Sequence, residues 1–219
     1  MKIACLVADL HGHMQTLRYL ERAIRGKCDY LLVAGDVTSA DSGKPAEPVF
    51  SFLDSLGIPV IAVLGNSDRP EFLEEFSKLK NVNLLHFSGV KVEGVSVIGV
   101  SGVQPQEHGS FFSVPETILY RGLKKAYEDA GRPEKFILLS HAPPYGVADE
   151  LRNGEHVGSK GLRRFDEEFN PRLHVCGHVH GAYGIYANKF TTVINPGILT
   201  FGHHLMAVQL PELILGTIG

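Results

Sequence analysis

Short apolar runs, each ending on a polar residue, organise this chain. IACLVA leads into Asp9, YLLVAG into Asp36, VIAVLG into Asn66, FILLS into His141 and LHVCG into His178. Runs this short and continuous read as strands buried on both faces. Between them the period changes. Residues 14–25 place Leu17, Leu20 and Ile24 on one helical face, and Gly26 stops that helix. A strand over 30–34 is followed by a polar loop with Gly43 and Pro45, a helix near 46–56 and a strand over 59–64. Asp68, with Pro70 and Glu71 after it, has the form of a capping box heading a further helix. Residues 90–100 predict a hairpin turning at Glu93 and Gly94, and 116–130 predict a helix. Beyond 171, short runs of Val, Ile, Phe and Thr broken by Gly and Pro predict an antiparallel sheet edge. With no repeat, low-complexity tract or linker to divide it, the chain is expected to form a single α/β domain over 1–219.

The residues at the ends of these runs share a chemistry. Asp9, His11, Asp36, Asn66, His141, His178 and His180 offer imidazole, carboxylate and carboxamide donors without a thiolate. If the runs are strands, all seven stand at strand carboxyl ends, where α/β sheets place their ligand crevices. The mixture suits Mn, Fe, Co, Ni or Zn better than Ca or Mg, which prefer oxygen shells. Seven donors exceed what one tetrahedral catalytic ion needs, so two ions sharing a carboxylate, with Asp36 as the bridge, is the economical arrangement. Gly35, Gly65 and Gly177 precede ligands at places where the backbone must turn sharply and approach closely.

Composition narrows the function. At 219 residues and 44% hydrophobic content the chain can build a substantial core. A net charge of -3 argues against a long nucleic acid as partner. Three cysteines make no complete disulfide framework; two of them, Cys5 and Cys176, sit in apolar runs as core residues, and a reducing cytoplasm is the expected compartment. No apolar stretch approaches the length of a membrane span, and no membrane partner is expected.

Asp9-Leu-His11, Gly35-Asp36, Gly65-Asn66-Ser67-Asp68, His141 and Gly177-His178-Val-His180 resemble, in order, the five blocks of the calcineurin-like metallophosphoesterase superfamily. Asn195-Pro196-Gly197 is similar to the turn that follows its last block, and Ser140-His141-Ala-Pro143-Pro144 and His156-Val-Gly158-Ser159 to elements of its small stand-alone phosphodiesterase-type members. The resemblance implies a four-layer α/β/β/α sandwich of two mixed sheets with the site at one sheet edge. It also implies two divalent ions, manganese foremost, with Fe, Zn, Ni or Co as alternatives. Asp9, His11, Asp36 and His180 would hold one ion, and Asp36, Asn66, His141 and His178 the other. A hydroxide bridging such ions is the implied nucleophile, and a small phosphodiester the implied substrate. A pyrophosphohydrolase of nucleotide-linked diphosphates is the alternative, which an exposed apolar surface beside the site would favour. A non-catalytic scaffold on the same fold is a weaker one.

One position departs from the pattern. Many relatives carry a histidine after the block-three asparagine as leaving-group acid, and here Ser67 stands there. Asp68, His13 and, in the loop over 102–115, His108 are the candidate substitutes, each with a plainer reading as helix cap, helix-start residue or exposed loop residue. Residues 142–160 are the expected substrate-facing lid. Ser159 within it is placed to cap a helix whose amides could hold phosphate.

Overall fold

A computed structural model describes residues 1–39, 43, 45–105, 110–199 and 205–218. The strand-forming runs alternate between two apolar environments. In β1 (Lys2–Val7), Cys5 and Val7 pack with Leu17 and Leu20 of α1 (Met14–Ile24), while Ala4 and Leu6 pack in a second cluster with Ile137 and Leu139. β2 (Tyr30–Ala34), β3 (Val60–Val63) and β7 (Phe136–Ser140) repeat this division, which is why these segments read as continuous rather than alternating apolar runs. One cluster lies between the two sheets and the other beneath the helices.

The remaining strands are β4 (Val82–Leu84), β5 (Ser88–Val92), β6 (Val95–Val100), β8 (Leu173–Val175), β9 (Gly184–Ala187), β10 (Thr192–Asn195), β11 (Leu205–Leu210) and β12 (Ile214–Ile218). Two six-stranded mixed sheets result, ordered β12-β11-β1-β2-β3-β4 and β5-β6-β7-β8-β10-β9. β1 to β4 run parallel, as do β6, β7, β8 and β10; antiparallel strands flank both parallel sets. The helices α2 (Glu47–Asp54), α4 (Glu116–Asp129) and α5 (Lys160–Phe169) join α1 over the outer faces, giving the α/β/β/α sandwich. Both central residues of the β5–β6 turn, Glu93 and Gly94, have positive φ (47° and 85°), the backbone that a two-residue hairpin loop requires.

Three expectations change. The helix after Asp68 is only α3 (Phe72–Glu75), preceded by Glu71, and Asp68 caps nothing there. The strands after 171 are not one antiparallel edge: β10 lies parallel to β8 because the β9 hairpin reverses the chain before it, and β11 crosses to the first sheet to pair with β1. Cys5 and Cys28 are joined as a disulfide with a Cα–Cα separation of 5.9 Å, leaving Cys176 as a buried free thiol. Spacing alone could not show that the loop after α1 returns over β1, and this pairing removes the cysteine argument for a reducing compartment. Among the described residues no helix is long and apolar enough to cross a membrane.

Leu6 is fully buried between the sheets. Leu6→Ala is expected to lower unfolding stability by about 2–5 kcal/mol, the range for a truncated core leucine, measured by urea denaturation.

Candidate metal centre

The loops at the carboxyl ends of β1, β2 and β8 are bent by backbone conformations that side chains disfavour. Asp9, His11, Asp36 and His178 all have positive φ (54°, 49°, 48° and 69°). Each costs of order 1–3 kcal/mol for a residue other than glycine, and such strain collects at functional sites. The glycines before the ligands permit the approach. A Cβ on Gly65 would lie 2.1 Å from Asp36 Oδ1, and one on Gly35 2.5 Å from His141 Nδ1, in a backbone already at φ 85°. Gly177 is pressed against Asp9 Oδ2 in the same way, at 2.8 Å.

The side chains converge. His11 Nε2 and His180 Nε2 are 3.4 Å apart, and His180 Nε2 lies 3.2 Å from Asp9 Oδ1. His141 Nε2 is 3.1 Å from Asn66 Oδ1 and 3.4 Å from Asp36 Oδ1, while Asp36 Oδ2 faces His11 Nε2 at 3.9 Å. The rings of His141 and His178 pack edge to face at 5.1 Å. The donor atoms of Asp9, His11 and His180 lie within 4.8 Å of one another, as do those of Asp9, Asp36 and His141. All seven sequence-derived residues therefore gather at one edge.

The chain matches the calcineurin-like phosphoesterase family model over residues 1–182. It belongs to that family. The chain is 29% identical to an uncharacterized protein of Methanocaldococcus jannaschii, over 87% of this chain and 85% of the relative. It is 34% identical to metallophosphoesterase domain-containing protein 1 of Homo sapiens over 62% of this chain, and the match covers only 41% of that protein. Against a probable cyclic nucleotide phosphodiesterase of Synechococcus it is 27% identical, over 76% of this chain and 63% of the relative. The fold is shared with a protein of Thermus thermophilus, with a TM-score of 0.74 at 19% identity over 99% and 97% of the two chains. A dimetal phosphatase from Danio rerio has it too, with a TM-score of 0.68 at 13% identity over 100% and 96%.

The family is metal-dependent, and the donors present fit a metal. Asp9 Oδ2 is buried with no hydrogen-bond partner among the described residues, an orphan that a cation would satisfy. Burial opposes ionising Asp36, but the charge and hydrogen bond of His141 and the N–H of Ser67 hold its carboxyl well below the usual range. Burial likewise disfavours a charged His141, yet the Asp36 charge and hydrogen bond lift it to about 9. Burial, then the His141 charge, lowers His178 to about 4. His141 Nδ1 lies 2.8 Å from the Ala34 carbonyl; as the N–H donor there, it leaves Nε2 facing the site.

Neighbouring residues hold the candidate ligands in place. Ser67 fills the position of the usual acid and instead binds the bridging candidate, its N–H and Oγ each donating to Asp36 at 2.8 Å. Asp68, fully buried, accepts from Gly65 N, Val37 N, Thr38 N and Thr38 Oγ1 at 2.7 to 3.0 Å, so it ties the Asp36 loop to the Asn66 loop. Burial, then the Asp36 charge, raises its carboxyl to about 6 against these donors. Asn195 donates to the Val179 carbonyl at 2.9 Å and pins the His178–His180 loop. Behind His141, Ser140 Oγ lies 2.7 Å from His174 Nε2, and His174 Nδ1 lies 2.8 Å from Asp166 Oδ2. This Ser-His-Asp array is wholly buried, so it braces the strand end and reaches no substrate.

The other candidates separate. His13 is exposed at the start of α1 with no capping hydrogen bond from its side chain, and His108 lies outside the described residues. Ser159 does cap α5, accepting from Leu162 N at 3.1 Å, but the amides of Lys160 and Gly161 donate to the Glu116 carboxylate. An anion of the chain itself occupies that helix end, which a local sequence window could not reveal because Glu116 is 43 residues distant. The sequence singles out His156 within His156-Val-Gly158-Ser159 without assigning it a role, and it does not indicate Asp149, which pairs with it at 2.8 Å in the segment between β7 and α5.

Asp68→Ala strips four donors of their acceptor and is expected to cost several kcal/mol, at about 1–3 kcal/mol per buried unsatisfied group. Asp68→Asn, which keeps one oxygen, should fall between that variant and wild type. Thermal unfolding of the metal-free proteins checks the order.

Proposed function

We propose that this chain is a dinuclear metal-dependent phosphoesterase acting on small phosphodiesters. Asp9, His11, Asp36 and His180 hold one ion, and Asp36, Asn66, His141 and His178 the other. The observation that carries this reading is the placement of Asp36, whose two carboxylate oxygens face His11 on one side and His141 on the other. Two divalent ions bound there supply a nucleophile by lowering the pKa of water, and positive charge against the phosphoryl oxygens. The chain's own part is to fix the donors before substrate arrives. Ser67 and Asp68 hold the Asp36 and Asn66 loops, Ala34 sets the His141 ring, and Asn195 sets the loop of His178 and His180.

A hollow lined by Leu151, Arg152, Tyr183 and Tyr186 adjoins His178 and His180 and offers a cation and aromatic faces to an ester. The likeness to a probable cyclic nucleotide phosphodiesterase supports a diester, and the net charge of -3 supports a small one. The scaffold reading is disfavoured by the complete donor set. The pyrophosphohydrolase reading keeps support from one observation: Tyr183 and Leu151, 65% and 37% exposed, line the same hollow, a surface suited to an apolar group.

Turnover of an activated diester, an activated monoester and a nucleotide-linked diphosphate with added Mn separates these readings. Diester turnover exceeding the other two, and abolished by Asn66→Ala, is expected; preference for the diphosphate would favour the second reading, and an inert metal-loaded protein the scaffold. A pH dependence also follows. His141 must lose the proton it keeps up to about 9, whereas His178, lowered to about 4, is already neutral. His180, raised above 6.5 by the hydrogen bond and charge of Asp9, must lose its proton too, so Mn affinity should rise with pH up to about 9 with release of protons from both rings, as read by calorimetry in buffers of different ionisation enthalpy.

A further inference from the structure

The lid segment between β7 and α5 is fastened around one buried carboxylate. Tyr145 N donates to the Ser159 carbonyl at 2.9 Å, Val157 N to that of Asp149 at 3.1 Å, and Leu151 N to that of Glu155 at 2.8 Å. Glu150 and His156 face each other across an antiparallel bridge. Asp149 is 1% exposed, and its Oδ2 accepts from Gly146 N and Gly158 N, each at 2.9 Å. Its Oδ1 lies 2.8 Å from His156 Nδ1.

The imidazole is placed differently from the carboxylate that holds it. The His156 side chain is 39% exposed and lines a hollow together with Tyr145, Val157, Lys160, Leu151 and the metal-centre residue His178. With Nδ1 committed to Asp149, the ring's other nitrogen, Nε2, is left to carry a proton towards whatever enters. A buried acceptor fixed by two backbone amides, a ring held by it through Nδ1 and a place in the lining of a hollow that reaches His178 form the arrangement of an oriented acid–base histidine.

We infer that His156, oriented by Asp149, donates its Nε2 proton to the leaving oxygen of the ester, the role left open by Ser67. This assignment rests on the phosphoesterase reading. As the oxygen derived from water forms its bond to phosphorus, the bond from phosphorus to the ester oxygen breaks. That oxygen leaves with the electron pair and takes the Nε2 proton, and the neutral imidazole is reprotonated from solvent. Asp149 is a positioning residue, and His156 is the catalytic one.

The electrostatics agree. The hydrogen bond and then the charge of Asp149 raise His156 above its ordinary 6.5, burial opposes weakly and Glu150 adds to the rise. The other ionisable groups of that hollow are Glu155, Glu116, Tyr145, His178 and the cation Lys160. The acid form is thus favoured over that of a free imidazole, and its contribution is lost as pH rises through the raised value.

Wild type and His156→Gln, both loaded with Mn, are compared on a nitrophenyl diester and an alkyl diester. The variant is expected to lose about 10²-fold more on the alkyl ester than on the nitrophenyl ester, because only the poor leaving group needs the proton. The descending high-pH limb of the wild-type alkyl profile should disappear in the variant. Mn content should match wild type, and the His156 imidazole, followed by NMR in the wild type without metal, should titrate above 6.5. Equal losses on both esters, no loss on either, or an imidazole titrating below 6.5 would overturn the assignment alone. A wild type inert on both esters with two ions bound would overturn the phosphoesterase reading and this assignment with it.

Discussion

The site depends on one buried carboxylate, Asp36. It sits at φ 48°, 3% exposed, with the Gly65 backbone pressed against it and Ser67 donating to both of its oxygens. Burying a carboxylate costs several kcal/mol unless it is paired and hydrogen-bonded. His141 and Ser67 provide that partnering in the metal-free protein, and Asp68 locks the two loops that meet there. Loosening any of these contacts moves Asp36 relative to the donors on both of its sides, so the geometry of the whole centre is set by how this one group is held.

The sandwich serves that purpose. Strand runs buried on both faces leave their carboxyl ends as the place where polar loops can meet, and two sheets packed through Leu6, Ile61, Val97 and Ile137 bring loops of both to one edge. Four strained conformations, at Asp9, His11, Asp36 and His178, persist there because the surrounding core over-determines them.

Much of this is legible in the chain because it is local. Each apolar run announces its strand, and the residue after it is carried to the strand end whatever the rest of the fold does. The parts that escape are those set by distant partners. Asp68 has the local form of a helix cap, but its carboxylate oxygens serve Thr38 and Val37 thirty residues earlier in the chain. Ser159 caps its helix as the sequence suggests, yet Glu116 from another helix takes the amides that a phosphate would use. Cys28 lies in no strand, and only the return of the α1 loop over β1 brings it to Cys5. His156 stands in a recognisable element, but its pairing with Asp149 escapes because the fold of the segment between β7 and α5, not a fixed spacing, creates it.

Labour is thus divided between a rigid donor set and a lid that carries its own oriented imidazole. The central claim is the two-ion centre bridged by Asp36, and the most direct measurement is anomalous diffraction from crystals grown with Mn. Two ions per chain, about 3.5–4 Å apart with Asp36 between them, are predicted. A single ion, or two that do not share Asp36, would contradict the claim.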